Sequence, residues 1–109
     1  MENNNTAKNS KVQTFLGFAI KARKYRVGLN TIATLKNVNL LVICKTISEN
    51  SKKEAEKLAK KFKCPLLETK DVMLSELIHI EDTKIMAITD KNLANAVIEN
   101  SEKDFIIIC

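Results

Sequence analysis

Apolar residues recur at helical spacing in several segments of this chain, and short apolar runs lie between those segments. A stripe that repeats every three to four residues is typical of a helix, whereas a continuous short apolar run is typical of a strand covered on both faces. Strands are therefore predicted at residues 25–27, 40–44, 66–67 and 85–88, and helices at residues 12–20, 30–35, 51–62, 71–78 and 90–98.

This alternation of strands and helices predicts an α/β domain with helices on both faces of a small sheet of four strands. The helix starts are predicted from side chains that can cap an N-terminus, namely Asn30, Ser51 (with Glu54 at capping-box spacing), Thr69 or Asp71, and Asp90. Glycine is unfavourable inside a helix, so we expect Gly17, in the first helix, to pack closely against a neighbouring element.

The chain ends in a further apolar run, Phe105–Cys109. An exposed strand of this composition would recruit other chains, so we expect Phe105–Ile108 to be extended and paired. The partner is either an edge of the chain's own sheet, which would make the run a fifth strand, or a second copy of the chain across a dimer axis.

The length of 109 residues is enough for one domain. We expect the polar residues 1–10 to be disordered, residues 11–100 to form the domain, and residues 101–109 to be an apolar extension. No apolar run is long enough to span a bilayer, and the N-terminus lacks the pattern of a signal peptide. Together with three widely spaced cysteines, these features indicate a cytoplasmic protein without disulfides and without a membrane partner.

The residue types that catalysis requires are scarce in this chain. His79 is the single histidine, no serine or cysteine lies beside a suitable base, and no glycine-rich loop could cradle a phosphate. The cysteine spacing does not fit a zinc site. We therefore expect a protein that is not an enzyme and that holds no cofactor and no metal.

The most informative stretch places a cluster of cations between the first helix and Gly28. The cluster consists of Lys21, Arg23, Lys24 and Arg26. The net charge of +5 is compatible with a polyanionic partner, but it also serves solubility. The cluster is either an RNA-binding surface or a solvated helix end whose cations favour the helix dipole. Asn30 is either a contact to a base edge or a plain helix cap.

Glycine at a helix N-terminus allows backbone N–H groups to approach a phosphate. Gly28 precedes the predicted second helix, and Asn30 follows it closely. A tight connection separates these two residues from the cation cluster. We therefore expect the cluster to lie at the same end of the domain as Gly28 and Asn30 and to form one positive surface with them.

Several short motifs occur in an order that resembles a known family. They are Leu16–Ala19 followed by Lys21, Ala22 and Lys24, then Gly28, Leu40–Cys44, Ser48–Lys53, Cys64–Leu66 and Ala87–Lys91. In this order they resemble the ribosomal-protein superfamily that binds RNA kink-turns, the L-seven-Ae type, and in particular its short bacterial YlxQ-like branch. The resemblance covers about residues 12–98. It implies a three-layer α-β-α sandwich with a mixed sheet and an RNA site at one end of the second helix.

The family's recognition stretch begins with glycine, usually followed by an Asn–Glu pair and, three residues on, by lysine. Gly28 and Asn30 match this pattern. Thr31 stands where glutamate is common, which removes an acceptor for base amino groups, and Thr34 stands where lysine is common. Lys36 follows Ile32 by one turn and could partly replace the missing phosphate contact.

The family's second RNA-facing region, a loop after the fourth helix, usually carries glycines. Leu74 and Ile78 occupy those places here and would stiffen the loop. We expect a small RNA-binding protein that is ribosome-associated or binds a kinked or looped RNA. The expected RNA-binding residues are Lys21, Arg23, Lys24, Arg26, Gly28, Asn30, Thr31, Thr34 and Lys36. The alternative is a diverged relative that acts as a protein-interaction or homodimerisation module without RNA.

Overall fold

Strands and helices alternate in the computed structural model of this chain, which describes residues 11–101 and 104–108. The helices are α1 (Lys11–Lys21), α2 (Leu29–Ala33), α3 (Glu49–Phe62), α4 (Leu74–Ile78) and α5 (Lys91–Glu99). The strands are β1 (Tyr25–Val27), β2 (Leu40–Ile43), β3 (Leu66–Thr69), β4 (Ile85–Ile88) and β5 (Phe105–Ile107). The α/β class predicted from the sequence is confirmed.

The strands form one mixed sheet in the order β1-β4-β2-β3-β5. β2 and β3 are parallel, and every other neighbouring pair is antiparallel. As a result, the amino ends of β1, β2 and β3 meet at one end of the sheet, together with the carboxyl ends of β4 and β5. β1 and β5 are the two outer strands.

The sheet has a separate hydrophobic core on each face. Along β2, Leu40 and Val42 contribute to the core beneath α1, α4 and α5, whereas Leu41 and Ile43 contribute to the core beneath α2 and α3. All four side chains are fully buried, which explains why the strand is apolar throughout instead of alternating. The result is the three-layer α-β-α sandwich with a central mixed sheet.

The C-terminal run forms the fifth strand of the chain's own sheet. β5 pairs with β3 in antiparallel register, with Phe105 opposite Thr69 and Ile107 opposite Leu67. Phe105 is only 3% exposed and anchors the strand in the core beneath α1, α4 and α5. The prediction that Phe105–Ile108 is extended and paired is confirmed for β5. Cys109 and the N-terminal segment 1–10 lie outside the described residues.

The helix starts agree with the sequence at α5 and differ elsewhere. Asp90 caps α5 by accepting a hydrogen bond from the Leu93 N–H (2.9 Å). The predicted cap Ser51 is wrong, because α3 begins one turn earlier and Ser48 accepts a hydrogen bond from the Ser51 N–H. The prediction of Thr69 or Asp71 as a cap for α4 is also wrong.

Thr69 ends β3 instead of starting a helix, and its hydroxyl is buried. It accepts a hydrogen bond from the Lys45 N–H (2.9 Å), which joins the carboxyl ends of β2 and β3. Met73 is the residue that precedes α4, and its own N–H donates to the Glu76 carboxylate.

Gly17 does not pack closely against another element. A Cβ built at this position would meet no atom within 4 Å, so the expected tight contact is absent from the described residues. Gly17 therefore lowers the stability of α1, as glycine usually does inside a helix, and no close packing contact explains its presence.

The two cysteines in the described residues are free thiols. Cys44 is buried and Cys64 is partly buried. Within residues 11–101 and 104–108, every helix is too short or too polar to cross a lipid bilayer.

Candidate nucleic-acid interface

The chain leaves α1 through a tight turn that exposes the cation cluster. The Lys24 N–H donates to the Ala19 carbonyl (2.8 Å) and the Arg23 N–H donates to the Ile20 carbonyl (3.1 Å). Arg23 has a φ of 59°, the left-handed conformation that this helix-ending motif requires and that glycine usually supplies. The arginine at this position is exposed at the end of the helix.

Strand β1 separates the cluster from the glycine that follows. The Lys24 carbonyl accepts a hydrogen bond from the Thr89 N–H at the carboxyl end of β4 (3.0 Å). The Gly28 N–H donates to the Ile85 carbonyl at the amino end of β4 (3.3 Å). Lys24 and Gly28 therefore lie at opposite ends of the sheet, about 13 Å apart along the strand, since four residue steps of about 3.3 Å separate them.

The prediction that the cluster shares one end of the domain with Gly28 and Asn30 is therefore wrong. The residues between the two groups form a strand of full sheet geometry, so they separate the groups instead of turning the chain back. Only Arg26, in the middle of β1, lies between the two ends. The described part of the chain therefore does not bring these residues together into the single positive surface that was predicted.

A larger positive surface forms at the end of the sheet where β1, β2 and β3 begin, and we call it the cationic end. Backbone hydrogen bonds hold the connections there together: the Asn39 N–H donates to the Ile88 carbonyl (2.9 Å), and the Leu41 N–H donates to the Pro65 carbonyl (3.0 Å). The basic residues of the cationic end, all exposed, are Lys21, Arg23, Lys24, Lys36, Lys60, Lys61, Lys63 and Lys91.

In the described part of the chain, few acidic side chains offset the positive charge of the cationic end. Asp90 is the carboxylate at this end, and it caps α5. The ion pairs found among the described residues, Lys52–Glu68 and Lys57–Glu54, lie elsewhere. Lys61 donates to the Ala33 carbonyl (3.2 Å) and keeps its charge exposed.

Half of this surface was not predicted as RNA-binding from the sequence. Lys60, Lys61 and Lys63 lie at the end of α3 and just after it, and Lys91 begins α5, so all four are far in sequence from the basic stretch before Gly28. The signal that could have found them is topological: each lies in a connection, or a helix turn beside one, at the end where the parallel strands begin.

The opposite end of the sheet has mixed charge. Gly28 and Asn30 lie there, and Gly28 lines a cavity of about 290 Å³ together with Glu81, Asp82 and Lys84. The two carboxylates would repel a phosphate that approached Gly28.

Asn30 is not a helix cap, so that interpretation of its role is wrong. Gly28 occupies the cap position with a φ of 91°, a conformation that favours glycine. Asn30 lies inside α2 and is exposed, and its side chain makes no hydrogen bond to any residue that the structure describes. Its amide is therefore open to a ligand.

The remaining predicted positions are distributed over α2 and α4. Thr31 is exposed. Its carbonyl accepts a hydrogen bond from the hydroxyl of Thr34, at the end of α2 (2.7 Å). Leu74 and Ile78 do not lie in a loop: they are buried in α4, and the loop before β4 begins at His79. Their placement at glycine positions of an RNA-facing loop is therefore wrong.

A depression runs along the outer edge of β1, between the two ends of the sheet. Its volume is about 460 Å³. We call it the β1 pocket, and its lining consists of Ile20, Arg23, Tyr25, Arg26, Val27 and Thr31. One guanidinium nitrogen of Arg26, Nη1, donates to the Tyr25 carbonyl (2.6 Å) and holds the charge against this edge.

The Cys44 thiol is the one group with a clearly displaced pKa among the described residues. Burial raises its pKa, but hydrogen bonds with the side chain and backbone of Thr46 and from the Leu74 N–H, together with the charge of Lys84, lower the pKa below its ordinary value. The thiol is fully buried beneath α4, where a substrate has no access. In residues 11–101 and 104–108 no cluster of His, Cys, Asp and Glu could hold a metal ion.

No family model matches this sequence, and a search of curated proteins finds no match. Among solved structures, the chain is similar to a protein of unknown function from Bacillus halodurans, with a TM-score of 0.75 and 17% sequence identity. The similarity covers 84% of this chain and 96% of that chain. At this level of identity it shows a shared fold and nothing about activity.

Proposed function

We propose that this protein binds structured RNA without catalysing a reaction, and that its cationic end contacts the phosphate backbone. The observation that carries the proposal is the concentration of exposed basic residues at one end of the sheet, with Asp90 as the acidic residue among them in the described part of the chain. The sequence resemblance to kink-turn-binding proteins favours a kinked or looped RNA, such as one on the ribosome. The free thiols suit a reducing cytoplasm.

The physical basis of this proposal is counterion release. Cations that are not engaged in ion pairs can neutralise phosphates and free the condensed counterions of the RNA. The lysines at the cationic end form no ion pair with any described carboxylate. Except for Lys61, which donates to the Ala33 carbonyl, these lysines can therefore bind a phosphate without first breaking a contact with a described residue.

The direct test compares two variants that lose the same charge. The first is Lys21→Gln, Lys24→Gln and Lys36→Gln at the cationic end. The matched control is Lys45→Gln, Lys70→Gln and Lys84→Gln at the opposite end, where all three side chains are also exposed. Fluorescence anisotropy with a kink-turn hairpin and an unkinked duplex, over a series of salt concentrations, measures affinity and salt dependence.

We expect the first variant to bind about ten- to a hundredfold more weakly at 0.1 M salt and to lose about two to three from the slope of log K against log salt. The control variant should stay close to the wild type. Equal losses in both variants would mean that net charge alone matters. An unchanged first variant would contradict the proposal.

The variant Asn30→Ala tests how far the bound RNA extends over the protein surface. An RNA that reaches from the cationic end along β1 to Asn30 should lose about 1–3 kcal/mol of binding free energy in Asn30→Ala, the usual size of a base contact. Equal affinity would confine the interface to the cationic end and the β1 edge.

A second candidate function, homodimerisation without RNA, is favoured by the outer strand β5. Ile106 and Ile107 are 47% and 65% exposed on this edge, and an exposed apolar strand is prone to pair with another chain. Salt dependence separates the two functions. Association through β5 should not weaken as salt rises, whereas phosphate binding should weaken steeply.

A further inference from the structure

The β1 pocket combines features that fit one nucleotide, and we propose that it holds an unpaired nucleotide of the bound RNA. The inference rests on the proposed function, because the same RNA would contact the cationic end, which shares Arg23 with the pocket. The volume of about 460 Å³ lies within the roughly 300–1,000 Å³ that small-ligand sites occupy.

The backbone of β1 offers hydrogen-bond donors to the pocket. Lys24 and Gly28 form backbone hydrogen bonds to β4. Because every second residue of an antiparallel strand bonds to the same neighbour, the N–H and carbonyl of Arg26 also face β4. The N–H groups of Tyr25 and Val27 therefore face the open outer edge of the strand. They can donate to a phosphate oxygen or to the edge of a base.

Tyr25 supplies the surface on which a base can stack. Its ring is half-buried and packs against the core beneath α1, α4 and α5, so its position is fixed before a ligand arrives. Ile20 and Val27 extend this apolar floor. Stacking on an aromatic ring does not depend on the identity of the base, since every base has a π-face.

Two arginines supply the charge for the phosphate. Arg26 is held by its hydrogen bond to the Tyr25 carbonyl, which leaves its other guanidinium N–H groups for a ligand. Arg23 approaches from the end of α1, held by the left-handed turn. The Thr31 hydroxyl on α2 completes the lining on the other side.

An unpaired nucleotide fits this site better than a paired one. The face of the Tyr25 ring can stack on a base that has left its own stack, whereas a base inside a duplex already has both faces covered. A peptide strand could also pair with the open edge of β1. The two guanidinium groups and the aromatic ring favour a nucleotide, whose phosphate and base would use both.

The test uses two dye-labelled RNA hairpins that are identical except for one bulged uridine, together with free uridine monophosphate. Tyr25 is the single tyrosine in the chain, which contains no tryptophan, so intrinsic fluorescence reports on the pocket alone. N-acetyltyrosinamide with the same RNA corrects for light absorbed by the bases. Arg26→Gln and Lys45→Gln each remove one exposed charge and serve as test and control.

We expect the bulged hairpin to quench Tyr25 fluorescence and to bind about five- to a hundredfold more tightly than the fully paired hairpin, the usual value of one stacked base. Tyr25→Leu and Arg26→Gln should each lose most of this preference, while Lys45→Gln keeps it. Circular dichroism confirms that each variant is folded.

Equal, salt-dependent binding of both hairpins would overturn this inference and leave the proposed function standing. Binding of neither hairpin would overturn both. Free uridine monophosphate that binds as tightly as the bulged hairpin would make the pocket a mononucleotide site and overturn the assignment to RNA. Quenching by an added strand-forming peptide, without quenching by the bulged hairpin, would assign the edge to a protein partner.

Discussion

The two outer strands of the sheet, β1 and β5, have the same length and the same kind of pairing, yet their chemistry is opposite. Each has three residues and one antiparallel neighbour. β1 carries the exposed Arg26 and borders the β1 pocket, whereas β5 leaves Ile106 and Ile107 exposed. The position of a strand in the sheet therefore does not determine what its edge can bind.

The two outer strands differ in how they avoid pairing with other chains and in what attaches them to the domain. Charge on an outer strand discourages pairing with other chains, and Arg26 provides this on β1. β5 has no such charge among its own residues. Its pairing with β3 and the buried ring of Phe105 hold it to the domain.

The largest effect on stability is expected at that ring. Phe105→Ala should lower the free energy of unfolding by about 3–5 kcal/mol, because it leaves a cavity beneath α1, α4 and α5. Urea denaturation measures it, with Arg26→Ala on the other outer strand as the control, where a change within about 0.5 kcal/mol is expected. Deleting residues 105–109 should likewise lower the melting temperature. A deletion variant as stable as the wild type would show that β5 does not contribute to the fold.

A smaller loss is expected where β1 ends. Gly28→Ala should cost about 1–3 kcal/mol, although space for a methyl group exists, because the φ of 91° is unfavourable for any residue with a Cβ. Chemical denaturation again measures the change. An unchanged stability would mean that the connection from β1 to α2 can relax to an ordinary backbone conformation.

A gain in stability, instead of a loss, is expected when the other glycine, Gly17, is replaced. Gly17→Ala should stabilise the domain by about 0.5–1 kcal/mol, because it improves helix propensity and meets no neighbouring atom. Thermal denaturation can resolve this gain. A loss of stability would show that α1 packs more closely than its described surroundings indicate.

The smallest effect on stability is expected at the exposed residue of β5. Ile107→Lys should change the free energy of unfolding by less than about 0.5 kcal/mol, because this side chain is 65% exposed. It should weaken self-association at high protein concentration, measured by sedimentation velocity. Wild-type protein that stays monomeric at every concentration would remove the basis for a dimer through β5.

The elements that the sequence predicted best are those with the strongest local signal. Ile85–Ile88 reads as a covered strand because every side chain is apolar, and the structure buries all four. Asp90 reads as a cap because its carboxylate reaches the Leu93 N–H within one turn. Thr69 gave a false cap, because a hydroxyl at the end of a buried strand has a partner on the neighbouring strand that sequence cannot identify.

The candidate site was predicted less well than the fold. Lys21, Arg23 and Lys24 were singled out because they are neighbours in sequence. Lys36 was placed with Gly28, but the short helix α2 carries the chain back toward the other end. Lys91 could not be grouped with any of them, because their meeting depends on the order and direction of the strands.

The sequence by itself determined the alternation of strands and helices, the extended apolar run at the C-terminus and the presence of an exposed basic segment, since periodicity and local chemistry are properties of consecutive residues. Only the tertiary structure decided that β1 and β5 are the outer strands and that Lys24 and Gly28 lie at opposite ends of the sheet. Those facts follow from which strands pair and in which direction, and such pairing joins residues that are far apart in the chain.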